Sequence, residues 1–227
     1  MQCLVIVGII IFINIKRGAL HLGDDTVKKN IPVITAAIIA INVLVFIFME
    51  IFGSTLDTEF MLRCGALDFE KVIYGKEYSR LITHFFMHFG ADHLINNMFV
   101  LAVYGYYMED FVGKKIFATV YMLSGLFAGV VSMLWHLLIA EEVVSAGASG
   151  AIFGISGAFI VIMIANRKKI EDFSYVRIGL FLALTVYSGY ADKSVDNAAH
   201  IAGFIAGGVI IYIFYLLLWR ERDNETY

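Results

Sequence analysis

Apolar residues in this chain gather into long unbroken runs, with polar residues confined to the gaps between them. Six runs stand out, at about 32–53, 80–108, 115–140, 147–166, 175–190 and 197–219. A helix of about 20 apolar residues crosses the ~30 Å hydrocarbon core of a bilayer. The pattern therefore predicts an all-α, polytopic membrane helix bundle with a six-span core. A seventh apolar stretch, residues 1–15, would extend only about 22 Å as a helix. Its charges, Lys16 and Arg17, follow the apolar stretch, whereas a signal peptide carries them in front. A short extra helix and an interfacial segment both remain open for it. The expected organisation is an N-terminal apolar segment and connection (1–30), a transmembrane domain (31–220) and a short tail (221–227).

Composition agrees and narrows the class. Of 227 residues, 60% are hydrophobic and 16% charged, against about 25% charged in soluble domains. Six spans use about 120 positions, and the remainder is too dispersed for a separate soluble domain. The net charge is −3, and no basic stripe points to nucleic acid as a partner. Cys3 and Cys64 form neither a disulfide framework nor a metal site. Placing 16–30, 109–115, 167–177 and the C-terminal tail in the cytoplasm puts twelve Lys and Arg residues there and five on the other side. That positive-inside bias orients both ends of the core inward, with the C-terminus cytoplasmic. No repeat links the two halves, which weakens an inverted-repeat transporter reading. The longest loop, about 54–79, mixes apolar and charged residues, as either a surface-lying segment or a solvated connection would.

Polar groups inside apolar spans are costly and point to function by default. Three clusters matter. Gly147-Ala148-Ser149-Gly150 opens the fourth run, where free backbone N–H groups and the positive helix end favour an anion. A nucleophilic serine there would have its tetrahedral oxyanion stabilised. The same residues could equally cap a helix or form a small-residue seam with Gly154 and Gly157. In the sixth run His200 lies at a depth similar to that of Ser149. Gly203 and Gly207 would let its helix approach the fourth one closely, bringing His200 Nε2 to Ser149 Oγ. A buried hydrogen-bonding histidine is the plainer alternative. The third cluster runs from Arg80 through His84 and His88 to His93 and Asn97. His93 and Asn97 share a helix face and can both donate hydrogen bonds, as an oxyanion hole requires. His88, on a continuous helix, falls well round from His93 and need not join the same site. A zinc site at His84, His88 and His93 lacks an HExxH or a second ligand cluster, so no metal or cofactor is expected.

Taken together these motifs resemble those of the rhomboid intramembrane serine proteases, over about residues 30–220. Gly147-Ala148-Ser149-Gly150-Ala151-Ile152-Phe153-Gly154 looks like the family's nucleophile segment, and Ala199-His200 with Gly203 and Gly207 looks like its general-base helix. Arg80 through Asn97 resembles its second helix, and Gly105, Glu109 and Gly113 resemble that helix's cytoplasmic end. The resemblance implies Ser149 as nucleophile and His200 as base, a dyad without a third carboxylate. It implies an oxyanion held by the Ser149 N–H, His93 and Asn97, and Phe153 packed against the histidine, although a plain apolar packing role also suits Phe153. Gly150 and Gly147 would support the nucleophile, and Gly203 and Gly207 the base. The implied activity is cleavage of single-span membrane proteins near the outer end of their transmembrane segment. Partners would be such substrates and membrane lipids, in a setting such as the bacterial plasma membrane, with the site near the external face.

Two further readings compete. An inactive rhomboid-like binder of transmembrane clients would not need both Ser149 and His200. A small channel or transporter would place charges at the membrane midplane, whereas this polar cluster lies near one surface. The run 175–190 is the shortest, about 24 Å as a helix. With the loop 191–196 it is expected to admit substrate laterally. The substrate's identity and the oligomeric state are not encoded in any recognisable feature.

Overall fold

The computed structural model describes residues 32–165 and 195–219, so the runs at 1–15 and 175–190 lie outside the described residues. Eight α-helices are described: α1 (Val33–Phe52), α2 (Thr58–Cys64), α3 (Phe69–Ile73), α4 (Arg80–Thr83), α5 (Gly90–Val112), α6 (Lys114–Leu138), α7 (Ser149–Ala165) and α8 (Asn197–Phe214). A 3₁₀ turn, His84–Phe86, follows α4, and a π-helical turn, Tyr215–Trp219, continues α8. Among the described residues, three helices are long and apolar enough to cross a membrane: Val33–Phe52, Lys114–Leu138 and Asn197–Leu217. The apolar α7 is shorter. The protein is thus an all-α, multi-pass integral membrane helix bundle. Leu44, Ile47, Phe48 and Ile51 of α1 are exposed, as lipid-facing side chains should be.

The innermost helix is α7, in which every residue from Gly150 to Phe159 is buried. It packs between α6 and α8, and its sequence explains how it fits there. Glycines at 150, 154 and 157 leave no side chain between the backbones, while Ile152, Ile155, Phe159 and Ile162 fill the gaps on the remaining sides.

The expected second span, 80–108, is not one helix. The chain makes α4 and the 3₁₀ turn, becomes extended at Met87 (φ −109°, ψ 150°), and starts α5 only at Gly90, whose φ is +77°. Polar side chains explain the break. Arg80, almost fully buried, sends Nη1 to the carbonyls of Leu62 and Ala66, each at 2.7 Å. The His84 carbonyl accepts the Gly147 N–H at 2.9 Å. Irregular backbone survives at membrane depth only where protein groups satisfy it, and these do.

The 54–79 segment is folded, and a plain solvated connection is excluded. Asp57 and Asp68 cap α2 and α3 by accepting from Glu59 N and Lys71 N. Met61, Ala66, Leu67 and Val72 are buried beneath them. An isolated antiparallel bridge between Leu67 and Ser145 ties this segment to the loop in front of α7. At the far end of α5, Glu109 accepts from the N–H groups of Ile34 and Thr35 and from the Thr35 hydroxyl, at 2.8–3.0 Å. It caps the N-terminus of α1.

Candidate active site

The loop that delivers Ser149 is pinned residue by residue. Ser145 exchanges both backbone hydrogen bonds with Leu67, Gly147 donates to His84, and the Ala148 N–H donates to His88 Nε2 at 3.2 Å. Gly147 has φ +146°, a conformation that excludes ordinary side chains. Ser149 is therefore the first residue of α7, two positions earlier than the sequence pattern placed it. Its own N–H and the next ones have no intrahelical acceptor, so the positive end of α7 opens beside its hydroxyl.

His200 is the fourth residue of α8 and is buried. Its Nε2 lies 2.8 Å from Ser149 Oγ. Phe153, one turn beyond Ser149, stacks on the imidazole with ring centroids 4.2 Å apart and planes 9° from parallel. The stack fixes the ring plane, so the expected contact of Phe153 with the histidine is present. His200 Nδ1 has no hydrogen-bond partner among the described residues.

The pair meets because two backbones touch. A Cβ added to Gly203 would lie 2.0 Å from the Gly150 carbonyl oxygen, and one on Gly207 would lie 1.9 Å from that of Gly154. A Cβ at Gly150 would meet the Ala128 side chain of α6 at 2.6 Å. All four glycines expected to support the pair through close approach, Gly147, Gly150, Gly203 and Gly207, occupy positions that a methyl group cannot share.

His93 and Asn97 lie on the first two turns of α5, on one face as expected. The His93 ring packs against Gly147: a Cβ there would be 2.7 Å from His93 Cε1 and 3.7 Å from Ser149 Oγ. Asn97 is buried, and its Nδ2 has no partner among the described residues. A buried donor without an acceptor is costly, and such a donor is available to a developing anion. The expectation that His88 stands apart from His93 is overturned. The helix begins at Gly90, so helical geometry does not separate them; the two rings meet edge to face at 5.1 Å. His88 supports the loop in front of Ser149 through the Ala148 N–H.

One further carboxylate was not anticipated. Asp196 caps α8 by accepting from Ala199 N at 2.9 Å, and its other oxygen accepts from the hydroxyls of Ser145 and Ser132. His136, 17% exposed, points Nε2 at Asp196 from 3.7 Å. The aspartate just ahead of an apolar helix was a legible cap. The serines, more than fifty residues away in the chain, gave no local signal.

Chemically, a hydroxyl held by an imidazole nitrogen at a helix N-terminus, beside side-chain donors, can lose its proton and have a neighbouring negative charge stabilised. A family model described as Rhomboid domain matches residues 75–217. "Rhomboid protease GluP" of Bacillus subtilis (strain 168) is 32% identical over 176 residues, covering 78% of this chain and 34% of that protein. "RHOMBOID-like protein 6, mitochondrial" of Arabidopsis thaliana is 31% identical over 169 residues, 72% of this chain and 53% of its own length. "Rhomboid protease AarA" of Providencia stuartii is 27% identical over 215 residues, 83% and 75% respectively. This chain thus spans about a third of the first relative and about half of the second. With its motifs, helices and glycine contacts in this order, the chain belongs to the rhomboid family.

Proposed function

We propose that this protein is an intramembrane serine endopeptidase in which Ser149 and His200 form the catalytic dyad. The observation that carries the proposal is the 2.8 Å contact between Ser149 Oγ and His200 Nε2 at the first residue of α7. The family membership and the protease names of two relatives support it. In this reading the Ser149 oxygen attacks the carbonyl carbon of the scissile bond while its proton passes to His200 Nε2. The carbonyl oxygen takes up negative charge and is held by the Ser149 N–H, His93 and Asn97. Collapse breaks the C–N bond, and His200 returns the proton to the leaving amine. Water then cleaves the acyl–serine ester by the same route in reverse.

The substrate class follows from where the dyad sits. The positive-inside charge pattern orients the Ser149 end of α7 toward the external face, a few residues below the surface. A substrate helix hides its carbonyls in i→i−4 hydrogen bonds and must unwind there before attack. Substrates are therefore single-span proteins with Gly, Pro or polar residues near the outer end of their span. The confined surroundings of Ser149, with glycines at 147 and 150, suit a small side chain before the cut.

The test is to incubate the purified protein in liposomes with single-span substrates of this kind and locate the cut by mass spectrometry. Cleavage near the outer end, absent in Ser149→Ala, is expected. Binding without cleavage would favour an inactive client-binding protein, and a cut at the cytoplasmic end would contradict the orientation.

A further inference from the structure

The carboxylate of Asp196 stands at a point where three separate parts of the site meet. Its Oδ1 accepts the Ala199 N–H in the first turn of α8, the residue next to His200. Its Oδ2 accepts the Ser145 hydroxyl at 2.8 Å, and Ser145 lies four residues ahead of Ser149 in the loop that delivers it. The same Oδ2 accepts the Ser132 hydroxyl from α6, the helix that flanks both α7 and α8. His136, one turn along α6 from Ser132, directs Nε2 at Oδ1 from 3.7 Å.

The group does not act as the third member of a triad. Its oxygens are engaged by Ala199, Ser145 and Ser132, while His200 Nδ1 has no hydrogen-bond partner among the described residues. Asp196 therefore bears on His200 through the backbone it holds. The need for such a clamp follows from the seam itself. Glycine-to-carbonyl contacts fix how closely α7 and α8 approach, but van der Waals contact is non-directional and leaves sliding along the seam weakly opposed. Charge-assisted hydrogen bonds are directional and about twice as strong as neutral ones.

We infer that Asp196 is a positioning residue, a carboxylate clamp that locks the loop ahead of Ser149 and helix α6 to the first turn of α8 and so sets the register between Ser149 and His200. This rests on the protease reading for its kinetic consequence and on geometry alone for its structural one. A misplacement of about 1 Å in a reacting pair can cost 10²-fold in rate.

Two variants separate the clamp from the helix cap. Asp196→Ala removes both. Ser132→Ala combined with Ser145→Ala empties the clamp but leaves the bond from Ala199 N to Asp196 in place, so α8 keeps its cap. Both are read in two ways: kcat and KM on a transmembrane substrate, and the ¹⁵N resonance of His200 Nε2 in histidine-labelled protein, assigned through its shift in Ser149→Ala. We expect kcat to fall about 10- to 100-fold in each variant with KM little changed. The His200 resonance should move toward its Ser149→Ala position, and the double serine variant should still melt in one cooperative transition, lowered by the loss of two hydrogen bonds to a carboxylate. A wild-type His200 resonance and kcat in the double serine variant would overturn the clamp. If the parent protein proves inactive yet the resonance moves as described, the clamp stands and the protease reading falls.

Discussion

Two neighbouring regions hold the candidate site, and they are built on opposite principles. Among the described residues, the hydrogen bond between side chains across the seam of α7 and α8 is the one it exists to position, Ser149 to His200. Gly150, Gly154, Gly203 and Gly207 bring backbone against backbone, and shape alone sets the spacing. The segment from Arg80 to Asn97 has an interrupted backbone and is fastened by hydrogen bonds to carbonyls and N–H groups far away in the chain. Packing of glycines thus sets how closely the two helices that carry the nucleophile–base pair approach, with the inferred Asp196 clamp fixing their register, and buried polar groups place the proposed oxyanion donors. In lipid this division makes sense. Helices gain little from burying apolar surface, so close packing of small residues and satisfied polar groups are the main sources of specificity. Substitutions in the two regions should fail differently.

The largest loss of stability belongs to the seam. Gly207→Ala puts a methyl 1.9 Å from the Gly154 carbonyl oxygen, a backbone atom that cannot swing aside. Overpacking of this kind costs about 1–3 kcal/mol, and more where backbone must move. A clearly lowered unfolding midpoint and loss of cleavage are expected, although Gly207 lies two turns from His200. A wild-type melting curve would show that the two helices do not touch here.

An intermediate loss is expected in the polar segment. Arg80→Met keeps the bulk of the side chain but leaves the Ala66 carbonyl without a donor among the described residues, while the Leu62 carbonyl keeps only the Gly65 N–H at 3.3 Å. A buried unsatisfied group costs about 1–3 kcal/mol. Denaturant titration should register that cost, and turnover per folded molecule should fall less than in the seam variant. Equal stability would mean that water replaces the guanidinium.

How well each region could be read in advance follows the same division. The seam was legible because its information is local: small residues at spacings of three and four announce a close helix contact, and serine and histidine at matched depth announce what meets across it. The face shared by His93 and Asn97 was legible for the same reason. The break at 87–89 was not. No proline marks it, and the long-range partners of Arg80 and His84 that make it affordable lie in residues 62–66 and at 147. Treating 80–108 as one helix then displaced His88, which in fact touches His93 and carries the Ala148 N–H. Asp196 was missed because its serine partners are distant in sequence. Long-range hydrogen bonds leave no periodic trace.

The smallest effect on stability sharpens the comparison most. Asn97→Ala removes an Nδ2 that bonds to nothing among the described residues, so the fold should hardly notice. Loss of one oxyanion donor typically lowers the rate by ~10²–10³. A near wild-type melting curve with kcat reduced on that scale, and KM little changed, is the expected result. Unchanged kcat would remove Asn97 from the site.

The central claim is that Ser149 is made nucleophilic by His200 across the glycine seam, and covalent labelling tests it without any knowledge of the natural substrate. A fluorophosphonate should phosphonylate the native protein at a single serine, located at Ser149 by peptide mass spectrometry. Ser149→Ala and His200→Ala should both remain unlabelled while keeping the native melting transition. Labelling at another serine, or undiminished labelling of folded His200→Ala, would contradict the account.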